Sequence, residues 1–198
     1  MGTLLIGLFE VVKGHKGELV VIKTMLLAAI FLAFSVSFGQ IDQEAQERVI
    51  EAQRAEMKKL DIGMGKWEGS GWMQQGPEKQ TFTGIENVQR KLGGLAILVE
   101  GKFTNQQNVV IHETLAVISY NTKNKTYDFS TYLASGLKGI YELTSTADGW
   151  QWHIPFTGGK IRYTTKLTTD TWFETGEMSQ DEGKTWRKFF EMNLKRVQ

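Results

Sequence analysis

The sequence predicts an all-β fold: a closed antiparallel up-and-down meander barrel of about ten strands, preceded by one N-terminal helix. Short β-rich runs follow one another after residue 60, and turn pairs such as Asp148-Gly149 and Gly158-Gly159 separate them. Only Pro77 and Pro155 interrupt strand pairing. A meander this long leaves two exposed edges unless it closes on itself, so we expect a barrel.

The first 39 residues have the pattern of a secretory signal peptide. Lys23 precedes an apolar run of 14 residues, 25–38, and Gly39 marks the expected cleavage point. Residues 1–22 fit an upstream mis-start or a long n-region. A membrane span needs about 20 apolar residues, so a single-span anchor is the less favoured alternative. We therefore expect an exported protein, periplasmic or extracellular, with no stable membrane span after cleavage.

Composition excludes several classes of function. Residues 1–39 carry three lysines and two glutamates of a chain whose formal net charge is +1, so the remaining 159 residues are formally neutral. A neutral chain without basic clusters argues against nucleic acid as a partner. Because the chain has no cysteine, it is not a lipoprotein and holds neither a disulfide nor a thiolate metal site. Residues 61–198 are long enough to form one barrel domain without crosslinks.

The one convincing helix covers residues 40–60. Asp42 is placed to cap its start, and Lys58 and Lys59 near its end suit the helix dipole. A thin apolar stripe at helical spacing consists of Ile41, Ala45, Val49, Ala52 and Leu60. We expect this helix to lie on the barrel or plug it. A coiled-coil dimer is less favoured because the segment is shorter than three to four heptads, and at most a weak homodimer is expected.

Ten strands are predicted after the helix, each bounded by turn residues. In chain order they are 66–75, 79–90, 94–104, 108–120, 124–134, 137–146, 149–157, 159–168, 170–178 and 184–197.

Aromatic residues recur on one face of these strands, since side chains alternate between the two faces. Trp150 and Trp152 share a face, for example. A barrel of eight strands holds at most one small ligand, and more strands widen it. We therefore expect a cavity that binds a small lipophilic molecule, with Phe129, Trp152, Tyr163 and Met192 as ligand-binding residues. The alternative is that the aromatic side chains fill the core.

Residues 179–186 read SQDEGKTW and fit the Asp-box signature of β-propellers. A propeller repeats a blade of roughly 40–50 residues several times, and no second copy of this segment occurs. The segment is therefore interpreted as a hairpin turn. Asp181 is expected to accept backbone N–H groups there, and Gly183 to take a positive φ.

Four segments together resemble a family of lipocalin-like (calycin-like) bacterial secreted proteins of unknown function. They read GKWEGSGW, LGGLAILVEGKF, LAVISYNTKNKTYDFSTYLASG and SQDEGKTWRKFFEMNLKRV, within residues 60–198. The resemblance implies a calycin-like barrel in which Trp67 of the G-x-W motif closes the floor. It also implies that a basic residue of the last strand, Arg196 or Lys195, packs against Trp67.

Few residues point to catalysis or to a cofactor, and no metal or cofactor is predicted. Haem bound through His112 or His153 remains an alternative, although neither lies in a matching motif. His112 and Glu113 cannot chelate a metal together, because adjacent strand residues face opposite ways. A cavity enzyme with isomerase- or lyase-like acid–base chemistry is a further alternative, as is a protein-interaction module. The enzyme candidates are Tyr132, Tyr163, Arg162, Glu113 and Glu142.

Overall fold

The computed structural model describes residues 43–197, without the side chain of Gln75. The predicted fold class is confirmed: ten antiparallel strands form a closed barrel in simple meander order, preceded by helix α1 over residues 43–58. The strands are β1 Gly65–Gln75, β2 Glu78–Lys91, β3 Ala96–Thr104, β4 Val110–Asn121, β5 Thr126–Leu133, β6 Lys138–Thr146, β7 Gly149–Phe156, β8 Gly159–Leu167, β9 Thr171–Ser179 and β10 Arg187–Val197. The predicted signal peptide and the Asp42 cap lie outside the described residues.

The chain divides into two units between Arg48 and Val49. The described part of the first unit is the start of α1, residues 43–48. The second contains the rest of α1 and the whole barrel. No helix within residues 43–197 has the length and apolar character that a membrane span requires.

Closure of the barrel depends on β1, which pairs with β2 on one side and β10 on the other. Trp67 lies opposite Glu86 of β2 and opposite Arg196 of β10. The first and last strands therefore cover each other's edges and close the sheet into a barrel.

Three tryptophans close one end of the barrel, which we call the floor. The Trp172 ring makes edge-to-face contacts with Trp67 and with Trp150, at centroid distances of 5.7 and 5.4 Å. Met57 and Leu60, at the end of α1 and just after it, are fully buried in the same core. Edge-to-face pairs of this kind contribute about 0.5–1.5 kcal/mol beyond their buried area.

Polar contacts also fix the end of α1 against the strands. The Tyr127 hydroxyl donates a hydrogen bond to the carbonyl of Glu56 at 3.0 Å. Arg54 Nε donates to the carbonyl of Gly93 at 2.8 Å. These contacts satisfy the carbonyl of Glu56 in the last turn of α1 and the carbonyl of Gly93 in the β2–β3 turn. They hold the second half of α1 against the barrel.

The predicted apolar stripe of α1 was wrong in part. Val49 is 46% exposed and Ala52 is also exposed, whereas Leu60 is buried as expected. The face that packs is set by Met57, with Arg54 one turn before it. Arg54 packs against the barrel although it is charged, because its guanidinium group donates a hydrogen bond to a backbone carbonyl. A search for apolar residues at helical spacing therefore does not find this position.

The start of the last strand also differs from the prediction. β10 begins at Arg187, not at residue 184, and its pairing with β9 shifts register between Lys188 and Phe190. The shift is a bulge that places Phe190 inside and leaves Lys188 exposed. Trp186 therefore lies before the strand, on the outer surface against Arg162.

Candidate functional site

A cavity of about 290 Å³ lies inside the barrel. At roughly 30 Å³ per water molecule, it has room for about ten waters or one small organic molecule. The lining residues that stay solvent-exposed, Gln80, Ile111 and His112, mark its open end. Trp150 and Trp172 of the floor line the opposite end. The inward-facing side chains therefore do not fill the barrel, which excludes a solid core.

Aromatic rings form much of the cavity wall. Trp152 stacks on Tyr163 at 4.5 Å between centroids and packs against Phe129 at 4.8 Å and Tyr141 at 5.4 Å. Met192, 1% exposed, completes the set of predicted ligand-binding residues around the cavity. All four predicted residues thus line one space. Burial raises the pKa of Tyr163, so its hydroxyl stays protonated at neutral pH.

Two carboxyl groups lie deep in the cavity, beside the floor. Glu86 of β2 lies opposite Trp67 of β1, and Glu174 of β9 comes two residues after Trp172. Glu86 is only 6% exposed. Its Oε2 atom has no hydrogen-bond partner among the described residues. Burial, and then the negative charge of Glu174, raise the pKa of Glu86 to about 8.

The glycine opposite Glu86 makes room for its carboxyl group. Gly101 of β3 pairs with Glu86 in the sheet. A Cβ atom at Gly101 would lie 2.8 Å from Glu86 Oε1 and 2.8 Å from the Thr114 methyl carbon. The sequence therefore leaves space for the Glu86 carboxyl by omitting a side chain on the neighbouring strand.

Glu174 is held in place by two donors. The Thr165 hydroxyl and Trp172 Nε1 donate hydrogen bonds to Glu174 Oε2 at 2.8 and 3.1 Å. Burial raises the pKa of Glu174, and these two hydrogen bonds partly oppose that rise. No lysine or arginine occurs among the residues that line the cavity. The carboxyl pair consequently has no protein cation beside it within the cavity wall.

Glu86 and Glu174 were not predicted as site residues from the sequence. The alternation of inward- and outward-facing residues along β2 and β9 nevertheless places both glutamates on the inward face. Glu86 is in register with the buried residues Phe82 and Val88 of β2. Glu174 is in register with Trp172 and with the buried Gly176 of β9. A glutamate in an apolar inward row is unusual because burying a carboxyl group is costly, and that contradiction could have identified the site.

The acid–base candidates from the sequence are mostly outside the barrel. Among them only Tyr163 lines the cavity. Tyr132, Glu113 and Glu142 are exposed, and each alternates with inward-facing neighbours. Arg162 pairs with Glu177, Nη2 to Oε2 at 2.6 Å, outside the cavity lining.

The two histidines occupy different surfaces. His112 lines the open end of the cavity beside Phe103, and burial lowers its pKa. His153 is exposed on β7, where burial and the charges of Lys160 and Arg162 lower its pKa. Within residues 43–197, no three His, Asp or Glu side chains converge to hold a metal ion.

The predicted floor partners meet. The Arg196 guanidinium lies 4.0 Å from the centroid of the buried Trp67 ring. Arg196 also donates hydrogen bonds to the carbonyls of Ile62 at 2.8 Å, Thr169 at 2.5 Å, and Met64. Trp67 Nε1 donates to the carbonyl of Gly63 at 2.9 Å. This arrangement seals the floor with both apolar and polar contacts.

The Asp-box segment is a turn between β9 and β10. Asp181 Oδ1 accepts hydrogen bonds from the Thr185 amide and the Ser179 hydroxyl, both at 2.8 Å, and these bonds lower the pKa of Asp181 to about 2. Gly183 has a φ of +99° and donates its amide to Ser179 Oγ at 2.7 Å. Neither Asp181 nor Gly183 lines the cavity.

The structure defines a closed, ten-stranded antiparallel β-barrel with an interior cavity. No family model matches the chain, and no curated protein matches it in sequence. Among solved structures it is similar to Rv2717c from M. tuberculosis, with a TM-score of 0.54 and 11% identity, over 72% of this chain and 97% of that one. It is also similar to the S-type phycobiliprotein lyase CpeS from Guillardia theta, with a TM-score of 0.51 and 9% identity, over 71% of this chain and 91% of that one. At such identities the likeness concerns the fold alone.

Proposed function

We propose that this protein binds one small amphipathic molecule inside the barrel. The observation that carries the proposal is the 290 Å³ cavity with aromatic walls and two carboxyl groups at its deep end. Ligand sites are typically apolar clefts of roughly 300–1,000 Å³ with a few convergent polar groups, and the volume of this cavity is close to the lower limit of that range. The apolar body of the ligand packs on Trp152 and Tyr163, and its polar end faces Glu86 and Glu174.

Export of the protein is part of this proposal and is supported by the signal-peptide pattern of residues 1–39. A weak homodimer stays a prediction. Its best candidate surface is the outer face around Leu115, Tyr132 and Ile140, whose exposed fractions are 39%, 50% and 74%. Native mass spectrometry of protein purified from its own host would measure both the oligomeric state and the mass of any retained ligand.

Trp152→Ala is expected to weaken binding of a small neutral fluorescent probe by about three- to tenfold. The substitution removes the ring that stacks on Tyr163, and an aromatic pair contributes roughly 0.5–1.5 kcal/mol. Fluorescence titration measures the affinity. Trp72→Ala is the matched control, because Trp72 lies under Lys79 and outside the cavity lining. Equal affinity in folded wild-type and Trp152→Ala proteins would contradict the assignment.

A second candidate is a cavity enzyme, and the convergence of Glu86 and Glu174 favours it. Glu86, with its pKa of about 8, holds a proton at pH 7 and would donate it to the carbonyl oxygen of the substrate, while the carboxylate form of Glu174 would accept the α hydrogen. We expect such an enzyme to exchange the hydrogen α to the carbonyl of a small aromatic ketone with D₂O. Proton NMR measures the exchange, with Glu86→Gln as the inactive variant and Glu113→Gln as the control. Identical exchange in all three proteins would argue against this function.

A further inference from the structure

We propose that the deep end of the cavity binds a protonated amine, which donates hydrogen bonds to Glu86 and Glu174 while the aromatic walls hold the rest of the ligand. This inference rests on the proposed binding function and adds to it the charge of the ligand's head group. The ligand class is a small primary or secondary amine with an apolar body.

Glu86 presents an unsatisfied carboxyl oxygen in the cavity wall. Glu86 is 94% buried, lines the cavity, and its Oε2 atom has no donor among the described residues. Buried polar groups in proteins nearly always have a hydrogen-bond partner, so each exception needs an explanation. A ligand N–H group entering from the cavity supplies the missing donor. Gly101 keeps the space beside this carboxyl clear of a side chain.

The charged groups of the cavity wall favour a cationic ligand. Two carboxyl groups line the cavity, and its wall contains no lysine or arginine. A buried carboxylate requires either a proton or a cation. The residues of the wall supply no cation, and a ligand ammonium group would supply one. Three convergent ligands for a metal ion are also absent among residues 43–197, so an organic cation fits the donor set better than a metal.

The aromatic walls of the cavity also favour a cation. A ring face attracts a cation within about 6 Å of its centroid, and tryptophan does so best. Trp150 and Trp152 both line the cavity. An amine beside Glu174 would therefore meet both carboxylate oxygens and aromatic rings. A carboxylate or phosphate anion would instead be repelled by the carboxyl pair once either glutamate is ionised.

Amine binding should be linked to proton release. The titratable groups that face Glu86 within the cavity are Glu174 on β9, Tyr163 on β8, Tyr141 on β6 and His112 on β4. The ammonium group favours ionised Glu86, which otherwise holds its proton up to about pH 8. Affinity should therefore rise up to about tenfold per pH unit between pH 6 and 8. The lowered pKa of His112 keeps this group neutral above pH 7.

The test compares 2-phenylethylamine with 2-phenylethanol, a neutral ligand of nearly the same shape, by calorimetry at pH 6, 7 and 8. We expect the amine to bind at least tenfold more tightly than the alcohol at pH 8, with a smaller preference at pH 6. Glu86→Gln should bring the ratio of amine affinity to alcohol affinity close to one at every pH. Glu113→Gln, on the exposed face of β4, should behave like wild type. If Glu86→Gln does not fold, Glu174→Gln serves as the second variant, and it should also reduce the preference for the amine over the alcohol.

The outcomes separate the two proposals. Alcohol binding that depends on Trp152, with no preference for the amine, would overturn the amine site and leave the binding function in place. An amine preference that persists unchanged in both folded glutamine variants would also overturn it. If neither ligand binds and the neutral fluorescent probe fails as well, the proposed binding function itself is wrong.

Discussion

Trp67→Ala is expected to lower the free energy of unfolding by about 3–5 kcal/mol, the usual cost of removing a large buried aromatic side chain. Trp67 is fully buried and packs edge-to-face on Trp172. Its loss also leaves the carbonyl of Gly63 without its donor and the Arg196 guanidinium without the ring beneath it. The substitution therefore opens the floor of the barrel at the point where β1 and β10 close it.

Urea unfolding followed by circular dichroism measures this loss. Trp72→Ala is the matched control, because Trp72 lies five residues along the same strand but outside the cavity, with Lys79 Nζ 3.7 Å from its ring centroid. The control should cost about 1 kcal/mol or less, the scale of an exposed cation–π contact. Equal losses in the two variants would mean that the tryptophan floor has no special part in holding the barrel closed.

The strands could be predicted because their signals are local. Tight turns such as Asp148-Gly149, where Gly149 has a φ of +159°, and the loop at Gly158, with a φ of +83°, separate runs of alternating residues. Closure was predictable from the length of the meander and from the G-x-W motif. The pairing of Trp67 with Arg196 joins residues far apart in sequence. The family resemblance implied that Trp67 packs against a basic residue of the last strand, either Arg196 or Lys195.

The remaining details depend on tertiary contacts that no local pattern contains. The bulge in β10 falls between Lys188 and Phe190. The skipped residue, Phe189, is also aromatic, so the sequence alone does not tell which of the two phenylalanines faces inward. On α1, Val49 is the more apolar residue but Met57 is the one the barrel buries.

The sequence predicted the aromatic and apolar residues of the cavity wall but not its two glutamates. Phe129, Trp152, Tyr163 and Met192 follow from the rule that aromatic and apolar residues face inward, and all line the cavity. Glu86 breaks that rule. The same rule assigns charged residues to the outside, so the side chain that gives the cavity its chemistry was overlooked.

The buried carboxyl of Glu86 is expected to make the protein less stable as the pH rises from 5 to 8. Its pKa is raised from 4.5 to about 8 on folding. Below pH 4.5 the group is protonated in both states. Between these values the unfolded chain releases the proton while the folded chain keeps it, so the free energy of unfolding falls by about 1.4 kcal/mol per pH unit. Through pH 8 the loss reaches roughly 5 kcal/mol, and the raised pKa of Glu174 acts in the same direction.

Urea unfolding at several pH values tests this directly. Glu86→Gln cannot ionise, so its stability should change much less over the same range and exceed that of wild type at pH 8. Glu113→Gln, which removes an exposed carboxyl, should keep the wild-type slope. A parallel slope in Glu86→Gln would show that Glu86 ionises normally in the folded protein. A saturating amine should flatten the wild-type slope as well, because the ammonium group would replace the proton as the partner of the buried carboxyl.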